Sequence, residues 1–254
     1  MAKSAPLGQL LIVNGVDLSG DVGSISEMGI ERETLDVTPI NKSAHERLIG
    51  QTSGVIDFDS FFNDSSTAEA QGSHDQLKSM PSGDRIVIWA KGSTVGDTAA
   101  AIIAKQMNFA MNRAADGALT QQSRFESNGF PLEFGTMLTG GIDTHASASS
   151  SASVDNGASS ASGLSAYLAI KGIGSGTPTV TIEMDADDSW NGGTTTAISF
   201  TEVADGGEPT AERKTTTGTI QRYLRVTTTG TFTDLDFAIF IRRGTANDSP
   251  GIIT

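Results

Sequence analysis

The chain has no cysteine, few aromatic residues, few basic residues and no long apolar run, and each lack closes off a class of function. Without cysteine there is no disulfide framework, no thiolate nucleophile and no Cys-based zinc site. Only two tryptophans are present, which leaves little material for the stacked aromatic walls of a sugar-cleaving cleft. Lys and Arg number 17 against 30 Asp and Glu, for a formal net charge of −13. The excess is spread along the chain: 17 acidic and 10 basic residues up to Gly140, then 13 and 7 after it. Gripping nucleic acid by counterion release needs clustered cations, and none are clustered here. An acidic surface serves solubility, or it repels a polyanion; composition does not choose between them. No stretch approaches the ~18 apolar residues of a membrane helix. The segment MAKSAPLGQLLIVNG lacks the apolar length and cleavage site of a secretion signal. The expectation is a soluble protein with no membrane partner.

What is present is β-pattern. Between Ala99 and Thr144 two extended runs meet at a turn. In Ile102 to Asn112 the residues Ile103, Lys105, Met107, Phe109 and Met111 share one parity, and Gln106, Asn108 and Asn112 share the other. That period of two predicts a strand. Asp116-Gly117 supplies residues that tolerate positive φ in a tight turn, and Ala118 to Ser127 returns as the second arm. A long polar hairpin with nothing reactive on it is suited to pairing rather than to catalysis. Gln106, Asn108, Asn112, Gln122 and Arg124 are its candidate inter-subunit residues.

Before the hairpin, strands are predicted over Gln9–Val16, Gly29–Thr38, Gly54–Phe62 and Asp84–Ala90. Between the second and third lies a long excursion, Pro39 to Thr52, with a helical turn expected around Ala44 to Leu48. It carries Ile40, Leu48 and Ile49 among Lys42, Glu46 and Arg47, a composition suited to a covered surface. Ser66 to Met80 is the one helix candidate, ended by Pro81-Ser82-Gly83. After the hairpin, His145 to Ser162 is mostly Ser and Ala and reads as a flexible linker, or as a short edge strand for the C-terminal part of the chain. Short runs then recur at Leu164–Ile173, Thr177–Asp185, Thr195–Val203, Arg213–Gly218, Ile220–Thr227 and Leu235–Arg243, as in a small antiparallel sandwich, Ig-like or jelly-roll-like. The domain expectation is therefore 1–144, a linker at 145–162, and an accessory unit at 163–254.

No catalytic set emerges. His45, His74 and His145 stand in three unrelated contexts, and no His-Glu-x-x-His or GxSxG occurs. Asp185, Asp187, Ser189 and Asn191 resemble the front of a calcium loop, but the glycine comes late, at Gly192, and Thr196 stands where the bidentate Glu should be. A solvated turn fits better. Asp57 and Asp59 alternate with Ile56 and Phe58, so they face away from the core; as a glycosidase pair they lack stacking aromatics. Trp190 is a glycan contact or, more simply, a packing residue at a loop base. No catalytic residue, cofactor site or metal site is assigned.

The succession NGVDLSGDVGSI, ETLDVTPINKSAHERLIG, SGVIDFDSFFN and HDQLKSMPSGDR, then IAKQMNFAMNRAADGALTQQSRFESNGFPLEFGTMLTGG, resembles the tail tube (major tail) proteins of long-tailed, non-contractile bacteriophages. The resemblance runs from about Gly8 to Thr144. The remainder resembles β-sandwich appendages of some tail proteins. It implies a mainly β fold, a β-sandwich or open barrel with one flanking helix plus the C-terminal sandwich. It also implies hexameric rings in which each subunit gives strands to an inner barrel, stacked into a tube that carries DNA at ejection. The expected partners are other copies of the chain, tail proteins at the tube ends, and DNA that passes without specific binding. The expected location is the virion, with assembly in the host cytoplasm. On this resemblance the Pro39 to Thr52 loop reaches a neighbour, and Asp57, Asp59, Glu31 and Glu33 are candidates to line the channel. The alternative is a carbohydrate-binding adhesin working through the C-terminal sandwich, with a host-surface glycan as ligand.

Overall fold

The computed structural model describes residues 8–67, 70–115, 117–191 and 193–244. The strands, in chain order, are β1 (Leu10–Val13), β2 (Val16–Asp17), β3 (Val22–Asp36), β4 (Arg47–Phe61), β5 (Ser66–Thr67) and β6 (Ala70–Gln71). One short helix, α1 (Ser73–Leu77), comes next, and then β7 (Arg85–Ala90), β8 (Thr98–Arg113), β9 (Leu119–Ser127), β10 (Glu133–Met137) and β11 (Asp143–His145). The remaining strands are β12 (Val154–Asp155), β13 (Leu164–Asp185), β14 (Thr195–Ser199), β15 (Thr210–Thr216) and β16 (Tyr223–Arg243). The protein is mainly β, as its alternation predicts. No helix among the described residues is long and apolar enough to cross a membrane.

All strands but β5 and β6 belong to one antiparallel network, whose main path runs β14-β13-β16-β10-β8-β7-β1-β2. Its central strands are buried on both faces, and this explains their near-continuous apolar sequences. In β16, Phe237, Ile239 and Ile241 enter a C-terminal core with Leu168, Val180 and Ile182. Its alternate residues Ala238 and Phe240 enter a second core with Leu10, Ile12, Ile88, Met137 and Tyr167. Tyr167 and Phe240 meet edge to face there, at 5.5 Å. A third core, built by Leu11, Ile56, Phe58, Leu77, Val87, Ile102 and Phe125, lies under α1. The second core therefore draws on both sides of the Ser/Ala tract. The far ends of the sheet also approach each other: a Cβ on Gly15 (φ 88°) would stand 2.5 Å from the Ile170 carbonyl oxygen, so only glycine fits.

Four expectations change. The helix expected over Ser66–Met80 shrinks to Ser73–Leu77; residues 68–69 are not among those described. One turn buries Leu77, which is enough to cap the third core, whereas Met80 is exposed at φ 40°. No helical turn forms at Ala44 to Leu48, because Arg47 onward already belongs to β4. The separate C-terminal runs at Leu164–Ile173 and Thr177–Asp185 are one 22-residue strand, and β16 likewise extends over 21 residues. The two form a single ribbon that bends where the register slips at Ile170/Gly172 and where Gly176 and Gly230 take positive φ. Both halves of the bent ribbon feed one core, which gives the sandwich its two layers.

The Ser/Ala tract is the fourth. Of the two readings of residues 145–162 the free linker gives way to the edge strand: the tract is laid along β16. Residues Asp143–His145 pair with Phe237–Leu235, Ser150 bridges Thr227, Val154 and Asp155 pair with Leu224 and Tyr223, and Ser160 bridges Ile220. Asp155 adds a two-pronged ion pair with Arg222, both bonds 2.7 Å. Side chains as small as these bury little, but β16 is much longer than its neighbour β10. The tract satisfies backbone groups that would otherwise form an open edge.

Candidate assembly surface

Strands β3 and β4 pair from Val22↔Ser60 out to Asp36↔Arg47, and their outer halves project as an arm exposed from Glu31 to Ile49. The arm is closed at its neck by polar bonds. Asp36 accepts from the Thr38 backbone N–H (3.0 Å) and hydroxyl and pairs with His45 Nδ1 (2.9 Å), and Val37 N–H donates to the Glu46 carbonyl (2.9 Å). The Thr38 bonds lead in holding the Asp36 carboxyl below its ordinary range. Lys42 and Glu46 form an ion pair at 2.9 Å. With the polar groups so engaged, the apolar ones point away: Leu35, Val37, Ile40, Leu48 and Ile49 are all exposed, Ile40 completely. Leu35 and Leu48 are directly opposed, so they share a face.

Toward the body, the ladder continues β3-β4-β9-β8, and register sorts its residues onto two faces. Met28, Ile56, Phe125 and Gln106 face the third core. The other face presents Glu27 opposite Asp57, Asp57 opposite Arg124, and Arg124 opposite Asn108. Arg124 is its hub. It binds Glu27 at 2.6 Å and Glu126 at 2.9 Å and lies 3.6 Å from Asp57. The bonds to Glu126 and Glu27 push its guanidinium pKa further up. Gln122 Nε2 donates to Asp57 (3.3 Å), and Asp59 accepts from the hydroxyls of Ser24 and Ser26 (3.2 and 2.8 Å). Glu31, opposite Ser53, lies on the same face farther out. Five carboxylates, those of Glu27, Glu31, Asp57, Asp59 and Glu126, thus share a face with Arg124 and Lys105.

Of the sequence candidates, Asp57, Asp59 and Glu31 are brought onto one face. Glu33 is not: it sits at the register slip between Arg32 and Thr34, beside Gly50. Asn108, Gln122 and Arg124 join the polar face. Gln106 does not. It is buried and bonds the Leu77 carbonyl (2.8 Å) and Arg85 (3.0 Å). The cause is a bulge at Met107, between the rungs Gln106↔Phe125 and Asn108↔Arg124. It breaks the parity read from sequence and leaves Ile103 and Lys105 on the opposite face from Phe109 and Met111. Asn112 is exposed, opposite Thr120. Asp116 lies outside the described residues; Gly117 has φ 94°.

His74, His145 and the calcium-like loop are engaged structurally. His74 packs between Phe62 and Phe109, and His145 bonds Thr228 (2.8 Å) against the Phe237 edge. In the calcium-like loop Asp187 bonds Ser189, and Asp185 bonds Asp187 N–H and Thr194. Gly192 is outside the described residues. No group of three metal-ligating side chains converges among those described. Trp190 has Arg225 stacked at 4.0 Å over its ring. A shallow cleft of about 260 Å³ lined by Leu168, Ile170, Val203 and Glu212 offers only one titratable side chain.

Sequence reading missed one polar cluster. Glu133, 1% exposed, binds Arg213 (3.0 Å) and the Ser165 hydroxyl (3.0 Å), with Arg242 at 3.9 Å. Arg213 also donates to the Tyr167 hydroxyl (3.1 Å) and lies 3.9 Å over Phe130. Burial, then the Glu133 charge, drive the Tyr167 pKa far up, so the phenol stays neutral. The available signal was a lone acid inside the apolar stretch FPLEFG.

No protein-family model matches the chain, and no curated protein matches it. Among solved structures it is similar to the tail of an empty gene transfer agent particle with C6 symmetry, at 17% identity over 49% of this chain and 94% of that one, TM-score 0.35. It is similar to the Dit protein of phage SPP1, described as a hub adsorption apparatus, at 11% identity over 92% and 98%, TM-score 0.34. A third is a chain of the phage p2 baseplate, at 6% identity over 93% and 98%, TM-score 0.32. With TM-scores this low, none of the three decides a role for this chain.

Proposed function

We propose that the protein is a structural subunit of a bacteriophage tail, a tail tube protein whose copies form hexameric rings stacked into the channel for DNA ejection. One observation carries the reading. Every exposed large hydrophobic among the described residues, from Ile30 to Phe134, lies in the first part of the chain, and none lies beyond it. Six of these eleven side chains are on or at the base of the β3–β4 arm. An acidic, otherwise well-buried protein that keeps such residues in water only in its N-terminal part is built to have that part covered. The C-terminal layers, whose surface lacks them, then face outward, and the Pro39 to Thr52 segment is a subunit-contacting arm. The carboxylate-rich face of β3-β4-β9-β8 suits a channel wall, since it gives a polyanion little to hold. In the virion the partners are further copies and the tail proteins at the tube ends; assembly belongs to the host cytoplasm. The role is structural, with no turnover.

Electron microscopy of the purified protein across a concentration series tests this. Rings or tubes are expected, and replacing residues 37–46 by a short Gly/Ser turn should leave monomers. A full-length chain that stays monomeric at millimolar concentration would overturn the reading.

A further inference from the structure

Arg85 opens β7 and is only 8% exposed. It stands opposite Ala104 and shares the parity of Val87, so it faces the third core. Its Nη1 donates to the Gln106 side-chain oxygen (3.0 Å), and Gln106 donates in turn to the Leu77 carbonyl (2.8 Å) at the end of α1. Gln106 is neutral. Among the described residues no carboxylate oxygen lies within 4.0 Å of the Arg85 guanidinium. Asp84, its neighbour in the chain, is held by Lys105 at 2.8 Å. Burial lowers the Arg85 pKa and no nearby charge opposes it, yet an arginine stays charged at neutral pH. A desolvated cation with no anion beside it is costly to keep in a fold. Arg213, whose side chain is similarly buried, has the usual remedy in Glu133 at 3.0 Å.

The remaining guanidinium nitrogens, Nε and Nη2, make no hydrogen bond within the protein, and neither is sealed from solvent. They lie on one side of the guanidinium plane, away from the N–H of Nη1 that Gln106 takes up. Two parallel N–H groups in one plane match the two oxygens of a carboxylate. A phosphate or sulfate would add two further oxygens, whereas a carboxylate has only carbon behind its pair, the cheaper group to set beside the apolar third core. β7 begins at Arg85 and no strand flanks β8 on that side beyond Ala104, so the fork stands at an open corner of the sheet.

We infer that Arg85 is a binding site for a single carboxylate, taken between Nε and Nη2, and that Gln106 positions the fork by holding Nη1. Two sources offer the same chemistry: a small free acid, or an acidic side chain of another copy of this chain, which carries 30 Asp and Glu. The site does not depend on the tail-subunit reading.

Sodium acetate is the probe, exchanged for chloride at constant ionic strength and neutral pH. A ligand held only by the folded state raises the melting temperature, by about 3–6 °C at ten times its dissociation constant for a chain of this size. In the unsubstituted protein the Arg85 Nε–H resonance should move with acetate, saturably, and stay still in chloride. Arg85→Gln keeps a donor for Gln106 but loses the fork and the charge. It should melt no more than about 2 °C below the parent in chloride and gain nothing from acetate. Arg85→Lys keeps the charge without the fork and should show less than half of the parent's acetate shift. Light scattering against protein concentration then separates the sources. If another copy supplies the carboxylate, acetate and Arg85→Gln each raise the concentration needed for association about tenfold, the loss of one charge-assisted bond. A chain that does not associate, or associates regardless of both, takes its carboxylate from a free acid. An Nε–H resonance that ignores acetate, or an acetate shift in melting temperature that is unchanged in Arg85→Gln, would overturn the site.

Discussion

Replacing Glu133 by Ala removes a carboxylate that pairs with two arginines inside the fold. The side chains of Arg213 and Arg242 are 6% and 17% exposed, and that of Glu133 is 1%. Taking away one partner of a buried pair leaves the other charge without its counterion, which costs about 3–5 kcal/mol. A chain of this size moves its melting temperature by about 2–4 °C per kcal/mol, so the expected fall is about 6–20 °C. Glu133→Gln keeps the shape and can still accept from Arg213 and Ser165, and should cost less than half as much. Changing Glu133, Arg213 and Arg242 together to Met, Met and Leu removes every charge of this cluster at once. That variant should recover most of the loss, because no ion is left stranded. Scanning calorimetry at neutral pH reads all three. If Glu133→Ala melts within about 2 °C of the parent, less than the shift expected for a single kcal/mol, Arg213 and Arg242 find other compensation and the cluster is not a lock between β10, β15 and β16.

Asp155 should titrate at about 2, held down first by its bonds to Arg222 and next by the Gly157 N–H. The tract's anchor is then fully formed above the unfolded value of 3.8 and is lost as pH falls through about 2. A carboxyl NMR titration checks it, and Arg222→Ala should return the midpoint toward 3.8. His145 is shifted the other way in effect: burial lowers its pKa below 6.5, with Asp143 opposing. The unfolded chain therefore takes up its proton first, and stability should drop as pH falls below 6.5 toward the folded value. In His145→Asn that slope should vanish in urea titrations run at successive pH. Gly15→Ala must accept positive φ and displace the Ile170 carbonyl, for a loss of about 2–4 kcal/mol. A loss under about 0.5 kcal/mol in urea melts, the range of an ordinary surface change, would mean the sheet ends do not meet there. A chain cut after Thr144 should aggregate, because Leu10, Ile88 and Met137 lose Tyr167 and Phe240; a soluble, cooperatively folding fragment seen by circular dichroism would refute this.

The fold class was legible because half-buried strands announce themselves by alternation: Ile56 and Phe58 against Asp57 and Asp59, and Val180 and Ile182 against Thr179 and Thr181. The arm was not. Both faces of β3 and β4 beyond Glu31 stand in solvent, so no apolar rhythm marks Arg47 to Thr52 as strand, and the segment reads as loop. Of the tract at 145–162 only the short edge strand, now β12, was legible; the rest takes its order from backbone bonds to β16, which leave no trace in Ser and Ala side chains. At the polar face, parity found Asp57, Asp59, Gln122 and Arg124 but misplaced Gln106, since one bulged residue, Met107, inverts every orientation downstream. Glu133 stood out only as a lone acid in FPLEFG, and its role stayed hidden because its partners lie at positions 165, 213 and 242, far along the chain.

Strand β16 is the last strand described and also the one most in demand: β10, β11, β12 and β13 all pair with it, and it completes two of the three cores. A ribosome delivers residues in order, at about 5–20 per second. For most of that time the arm and its apolar side chains are already outside the exit tunnel while the sheet behind them lacks its central member. The arm is then joined to a body too loose to hold it in one orientation. Completing β16 is thus what holds the sheet in register, and the strands made before it cannot settle against one another until it arrives. Such a layout also predicts slow folding, since every contact β16 makes with β10 closes a loop of about a hundred residues.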